Sequence, residues 1–118
     1  LGGDLDVVIN IVGMAGWARL LEMDMALWDL DMRRNLMHHL FVGRAFARLK
    51  LTTNTPGSMA VVTSVSGLYG APNHGANGAA KAAAISLVRT GPLPSASARQ
   101  ITALTAYSLL VVSLMAQL

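Results

Sequence analysis

The apolar residues of this chain fall into runs of contrasting period. Residues 5–13, LDVVINIVG, form a short β-branched stretch closed by glycine. Unbroken rather than alternating apolarity predicts a buried strand of a parallel sheet. After a loop around MAGWARLLEM the period lengthens. Asp24 stands where an N-cap is needed, Asp29 and Asp31 follow in the first turns, and Arg44, Arg48 and Lys50 come at the far end. That is the order a helix dipole favours, and it predicts a long helix over residues 25–49. Leu36, Leu40, Gly43 and Ala47 share one face of it, and the two small residues invite a close neighbour. TTNTPGS is a turn. MAVVTSV predicts a second strand, GLYGAPNHG a glycine-rich connection, and NGAAKAAAISLVR, rich in the best helix former, a helix over residues 77–89. ITALTA is a possible third strand. Strand, helix, strand, helix, strand with right-handed crossovers gives an α/β fold, a parallel sheet with both helices on one face.

Composition narrows this picture. With 118 residues, 53% of them apolar, the chain suits one domain. The absence of cysteine excludes disulfides and thiolate metal or redox chemistry, and suits a reducing, cytoplasmic setting. The chain opens on Leu1, and LGGDLDVVIN has no secretory signature, so the expectation is a sequence that begins inside a longer one. All six acids precede residue 32 and eight of nine bases follow it. Arg33, Arg34, Arg44, Arg48 and Lys50 recur at intervals that spread them along a helix, without interleaved aromatics, which predicts a solvated face rather than a nucleic-acid surface. Adjacent His38 and His39 point about 100° apart on a helix and are poorly placed to share a metal; packing or surface roles are expected. Trp17, Trp28 and the seven methionines read as core. Residues 101–118 are uncharged, but Thr102, Thr105, Ser108, Ser113 and Gln117 make a poor membrane span, and a strand with an amphipathic or irregular end is expected.

Four segments carry chemistry in a fixed order: NIVG (Asn10 to Gly13), WDLDMRRNL with Asn35, VVTSVSGLYG with Ser64, and NGAAKAA with Asn77 and Lys81. Together, over about residues 5–90, they resemble the middle of a short-chain dehydrogenase/reductase, the Rossmann-type family that moves a hydride between NAD(P)(H) and an alcohol or ketone. NIVG resembles the family's NNAG segment, with Ile11 and Val12 departing. The tryptophan-to-asparagine segment on the long helix resembles the one carrying the catalytic asparagine. The strand end at Ser64 resembles that of the catalytic serine, and NGAAKAA resembles the YxxxK helix, with thirteen residues from Ser64 to position 77. The resemblance implies that Ser64 polarises a carbonyl, Lys81 binds the nicotinamide ribose, Asn35 fixes a relay water, and Asn10 and Gly13 border the cofactor. Tyrosine is the family's proton donor, and here its place is taken by Asn77.

That departure matters because hydride addition to a ketone creates an alkoxide, which needs a proton donor within hydrogen-bond reach. A carboxamide releases no proton at physiological pH, so a general-acid contribution of about 10²–10⁴-fold is expected to be missing. Tyr69 and His74, in the connection after Ser64, could donate only by reaching the place of residue 77; pocket-lining and loop roles are expected instead. Ser66 and Gly67 are expected to serve the turn. The family's TGxxxGxG pyrophosphate turn belongs before LDVVIN and is not in these 118 residues, so the N-terminal half of the usual fold is expected to lie outside the chain and tight NAD or NADP binding is not expected of it. Pro92 and Pro94 should end the second helix near Arg89, leaving residues 91–118 a divergent tail on a partial family domain. The expected function is thus an oxidoreductase, inactive as written, for a small alcohol or ketone. The alternative is a non-catalytic remnant that pairs through helices 25–49 and 77–89.

Overall fold

The computed structural model describes residues 5–90, 100–105 and 110–113. Strand β1 (Val7–Asn10) is followed by helix α1 (Met25–Met32), a π-helical turn (Arg33–Met37) and helix α2 (His38–Thr53), which continue one another. Strand β2 (Ser58–Thr63), a 3-10 turn (Val65–Gly67), helix α3 (Gly75–Thr90), and strands β3 (Gln100–Thr105) and β4 (Leu110–Ser113) complete it. The sheet order is β1-β2-β3-β4. The first three strands are parallel, from Val7 opposite Ser58 and from Ser58 opposite Gln100. β4 returns antiparallel, Thr105 opposite Leu110, where a strand with an irregular end was expected.

The expected strand-helix alternation is present, with local differences that have physical causes. Asp24 is the N-cap of α1, its carboxylate accepting from the Leu27 amide at 2.6 Å. The long helix runs past residue 49 because Asn54 adopts the left-handed conformation, φ 52°, that closes a helix C-terminus. α3 begins two residues before Asn77, which therefore sits in its first turn.

Both helices pack on the same face of the sheet. Phe46 from α2 and Val88 from α3 meet Met59 and Val61 from β2, with Val8 and Val42 alongside. Gly43 admits the Met59 sulfur, 3.7 Å from where a Cβ would stand, so the close approach offered by the small residues is used by the sheet. The opposite face is bare among the described residues: Val7 and Ile9 are 57% and 62% exposed, so β1 is buried on one side only.

Two charged positions depart from expectation. Lys50 is no part of a solvated face; it is buried and its Nζ meets Asp6 at 3.2 Å and the Thr55 hydroxyl at 3.1 Å. Asp31, expected simply to favour the helix dipole, is also buried. Trp17, expected in the core, is 69% exposed. No helix of the described residues is long and apolar enough to cross a membrane.

Candidate active site

β1 ends at Asn10 although the apolar run continues, because the next segment is held by the helix instead of the sheet. The π-helical turn carries Asn35 inward, and none of its surface is exposed. Such turns interrupt the regular helical register and recur at functional sites. Asn35 Oδ1 accepts from the Met14 amide at 3.1 Å, while its Nδ2 donates to the Met14 carbonyl at 2.5 Å and the Asp31 carbonyl at 3.0 Å. One turn earlier, both Asp31 carboxylate oxygens accept from the Gly16 amide, at 3.2 and 3.1 Å. Residues 13–16 are thus laid across the helix by two buried side chains. Gly13 is needed there: a Cβ would stand 2.8 Å from Lys81 Nζ and 2.9 Å from Asn35 Oδ1.

The second wall comes from β2 and α3. Ser64 leaves the strand in extended geometry and its Oγ accepts from the Ser66 amide at 3.2 Å, starting the 3-10 turn. Ser66 is buried, and its Oγ lies 2.9 Å from Ser64 Oγ and 3.0 Å from Asn77 Oδ1. Asn77 Nδ2 donates to the Met14 carbonyl at 3.2 Å. Ser66 therefore does more than serve a turn. The sequence signal for it was Gly67, where a Cβ would fall 2.7 Å from the Ala82 amide nitrogen, so that only glycine brings the turn this close to α3.

Lys81, one turn after Asn77, is 6% exposed. Its ammonium has one hydrogen bond among the described residues, to the Val62 carbonyl at 3.3 Å, and burial lowers its pKa from the usual lysine value. Two N–H donors remain.

Gly13, Asn35, Ser64, Asn77 and Lys81 come together on one cavity of about 570 Å³, with Ser66, His74 and Trp17. Asn10 does not line it, although Asn10 is buried and its Nδ2 lacks a hydrogen-bond partner among the described residues. Tyr69 is 71% exposed and also lies off the wall. His74 is on it, its ring edge-on to Trp17 at 3.9 Å between centroids and its buried Nδ1 unpartnered among the described residues. That contact accounts for Trp17: it packs across the mouth rather than in the core. His38 and His39 pack behind the helix with ring centroids 3.9 Å apart.

The sequence profile of a family described as enoyl-(acyl carrier protein) reductase matches residues 1–102. The chain belongs to the short-chain dehydrogenase/reductase family. An uncharacterised NAD-dependent oxidoreductase of Mycobacterium tuberculosis is 33% identical over 88 residues, 75% of this chain and 32% of the relative. The chain thus spans about a third of the length of the curated relatives it matches. Among solved structures, a short-chain dehydrogenase from Mycobacterium smegmatis superposes with a TM-score of 0.78 at 23% identity, covering 86% of this chain and 43% of that one. Acetoin dehydrogenase from Enterobacter cloacae gives 0.70 at 26% identity, over 73% and 34%. A gluconate 5-dehydrogenase from Beutenbergia cavernae, described with bound NADP, gives 0.68 at 26% identity, over 72% and 34%.

Proposed function

We propose that this chain carries the alcohol- and ketone-binding part of an NAD(P)-dependent oxidoreductase site from which the proton donor has been lost, so that it binds small hydroxyl or carbonyl compounds and leaves hydride transfer without acid catalysis. The observation that carries the reading is the state of Asn77. Its carboxamide is buried and committed on both sides, to Ser66 and to the Met14 carbonyl, in the place from which the family's tyrosine donates. It fills that place as a bridge between three segments and supplies no titratable proton.

The remaining residues suit the rest of the site. Support for a nicotinamide cofactor beside Gly13 is the Lys81 ammonium, buried with two N–H donors to spare and suited to ribose hydroxyls. When bound, that cofactor supplies or takes up the hydride. Ser64, on the same wall, orients the substrate oxygen. Asn35 has both amide hydrogens engaged with backbone carbonyls, which leaves an oxygen lone pair for a relay water. His74 is the titratable group nearest in kind to a substitute donor, and its packing against Trp17 holds it to the mouth.

The test is to graft residues 5–90 into a complete relative and compare the graft with its Asn77→Tyr form in carbonyl reduction. Tyrosine is expected to raise turnover by about 10²-fold or more, and Lys81→Ala in the tyrosine graft to remove most of the gain. Equal turnover in two folded grafts would show that water or His74 supplies the proton and that the reading is wrong.

A second reading is favoured by one observation. Leu36, Met37, Leu40, Ala83, Ser86 and Leu87 line a half-buried groove of about 330 Å³ between the π-helical turn, α2 and α3. An apolar groove between two neighbouring helices suits pairing of copies of this chain, with or without chemistry in the cavity.

A further inference from the structure

The lysines of this sequence are Lys50 and Lys81, and the fold buries both. It treats their ammonium groups differently. Lys50 Nζ meets the Asp6 carboxylate at 3.2 Å and the Thr55 hydroxyl at 3.1 Å, so its charge is answered by an anion. Lys81 is 6% exposed, yet among the described residues its Nζ has the Val62 carbonyl, at 3.3 Å, and no carboxylate. Burial without an anion works against the ammonium and in favour of the neutral amine, the direction in which the Lys81 pKa is moved. The neutral amine has what the ammonium lacks, a nitrogen lone pair. Placement adds to this. Lys81 and Gly13 line the same cavity of about 570 Å³, and Nζ stands 2.8 Å from where a Gly13 Cβ would be, so glycine keeps the space beside the nitrogen open. Ile11, Met14, Trp17 and Val65 give that cavity an apolar lining.

We propose that Lys81 forms a Schiff base with small apolar aldehydes that enter this cavity, an activity separate from hydride transfer. Desolvated lysines in apolar pockets are suited to this chemistry. The nitrogen lone pair bonds to the carbonyl carbon while the carbonyl π electrons move to oxygen, which takes up the proton that nitrogen gives up. The carbinolamine then loses its hydroxyl group and the remaining N–H proton as water, and C=N replaces C=O. Nothing is oxidised or reduced, and solvent carries the protons, so the step needs neither a nicotinamide nor a proton donor at position 77. The product is a neutral imine where a buried charge stood. The inference rests on the proposed function only for the access of small carbonyl compounds to the cavity.

The test incubates the full 118-residue chain with benzaldehyde and sodium cyanoborohydride, which reduces an imine to a stable secondary amine, and quantifies the peptides holding Lys50 and Lys81 by mass spectrometry. Lys81 is expected to be alkylated at least about tenfold faster than Lys50, the scale on which one neighbouring carboxylate shifts the balance between amine and ammonium. In urea, where carboxylate and cavity are both lost, the two lysines should react alike. Lys81→Arg should remove the fast site and leave Lys50 unchanged. Benzyl alcohol, which has the same ring and no electrophilic carbon, should bind by ligand-observed NMR and slow the reaction at Lys81 alone. Equal rates at the two lysines of the folded chain, or a faster Lys81 that persists in urea, would overturn the Schiff-base inference alone. So would an unreactive Lys81 in a chain that binds benzyl alcohol. If benzyl alcohol does not bind at its solubility limit and Lys81 does not react, the small-molecule site itself falls, and this inference with it.

Discussion

At the scale of single residues, the site is costly to its own fold, and Lys81 shows it most plainly. An ammonium that is 6% exposed, without a carboxylate partner among the described residues and with one carbonyl at 3.3 Å, is held in the cavity at the expense of desolvation, which is also why its pKa is lowered. Lys81→Met keeps the side-chain length and removes the charge. It is expected to raise unfolding stability by about 1 kcal/mol in urea titrations, offset in part by the Val62 carbonyl left unpaired, and to weaken binding of hydroxyl ligands. A fall in stability would mean that the ammonium is paired more strongly than the single bond to Val62 indicates.

At the scale of elements, the helix from Met25 to Thr53 does two jobs that a regular helix would not combine. Its π-helical turn rotates Asn35 into the cavity wall, and immediately afterwards it half-buries His38 and buries His39. Burial lowers the pKa of both, with the adjoining imidazole and Lys81 adding repulsion at His39, whose pKa is lowered to about 3. Arg33, whose backbone and that of Val12 approach the His38 ring, is exposed. The sign follows directly. A histidine whose folded pKa lies below its unfolded value of 6.5 binds more protons when unfolded, so its contribution to stability is intact above pH 6.5 and is lost as the pH falls from 6.5 toward 3. One imidazole contributes roughly 1.4 kcal/mol per pH unit in that window. Chemical denaturation at pH 7, 6 and 5 should show this slope, and His39→Phe should flatten it. An unchanged slope in the folded variant would place the pH dependence elsewhere.

For the whole molecule, the arrangement of helices on one face leaves two apolar surfaces among the described residues. One is the open sheet face of Val7 and Ile9, continued by the exposed side chain of Ile11, and the other is the groove around Leu40. Exposed patches of this kind drive association. The 118-residue chain is expected to self-associate at tens of micromolar by light scattering, and Leu40→Arg to lower its mean mass if the helical groove carries the contact. A mass unchanged by Leu40→Arg would assign the association to the sheet face; a stable monomer of the unmodified chain would refute both.

Much of this protein was legible in its sequence because the signals are local. Period and capping marked three parallel strands and two helices, with Asp24 as the N-cap, and the resemblance of four ordered segments to the short-chain dehydrogenase/reductase family marked Gly13, Asn35, Ser64, Asn77 and Lys81, which meet in one cavity. What the tertiary structure decided depends on partners distant in sequence. Asp31 read as a charge favouring the helix dipole and Lys50 as part of a solvated face, yet one holds Gly16 and the other meets Asp6, and no local pattern distinguishes a buried carboxylate or ammonium from an exposed one. Trp17 went to the mouth of the cavity because His74, far along the chain, offers it an edge. Ser66 gained its role only when the 3-10 turn came against α3 and placed its hydroxyl between Ser64 and Asn77. The direction of a hydrogen bond is set by what each partner can still donate, and that is known only once all of the partners are in place.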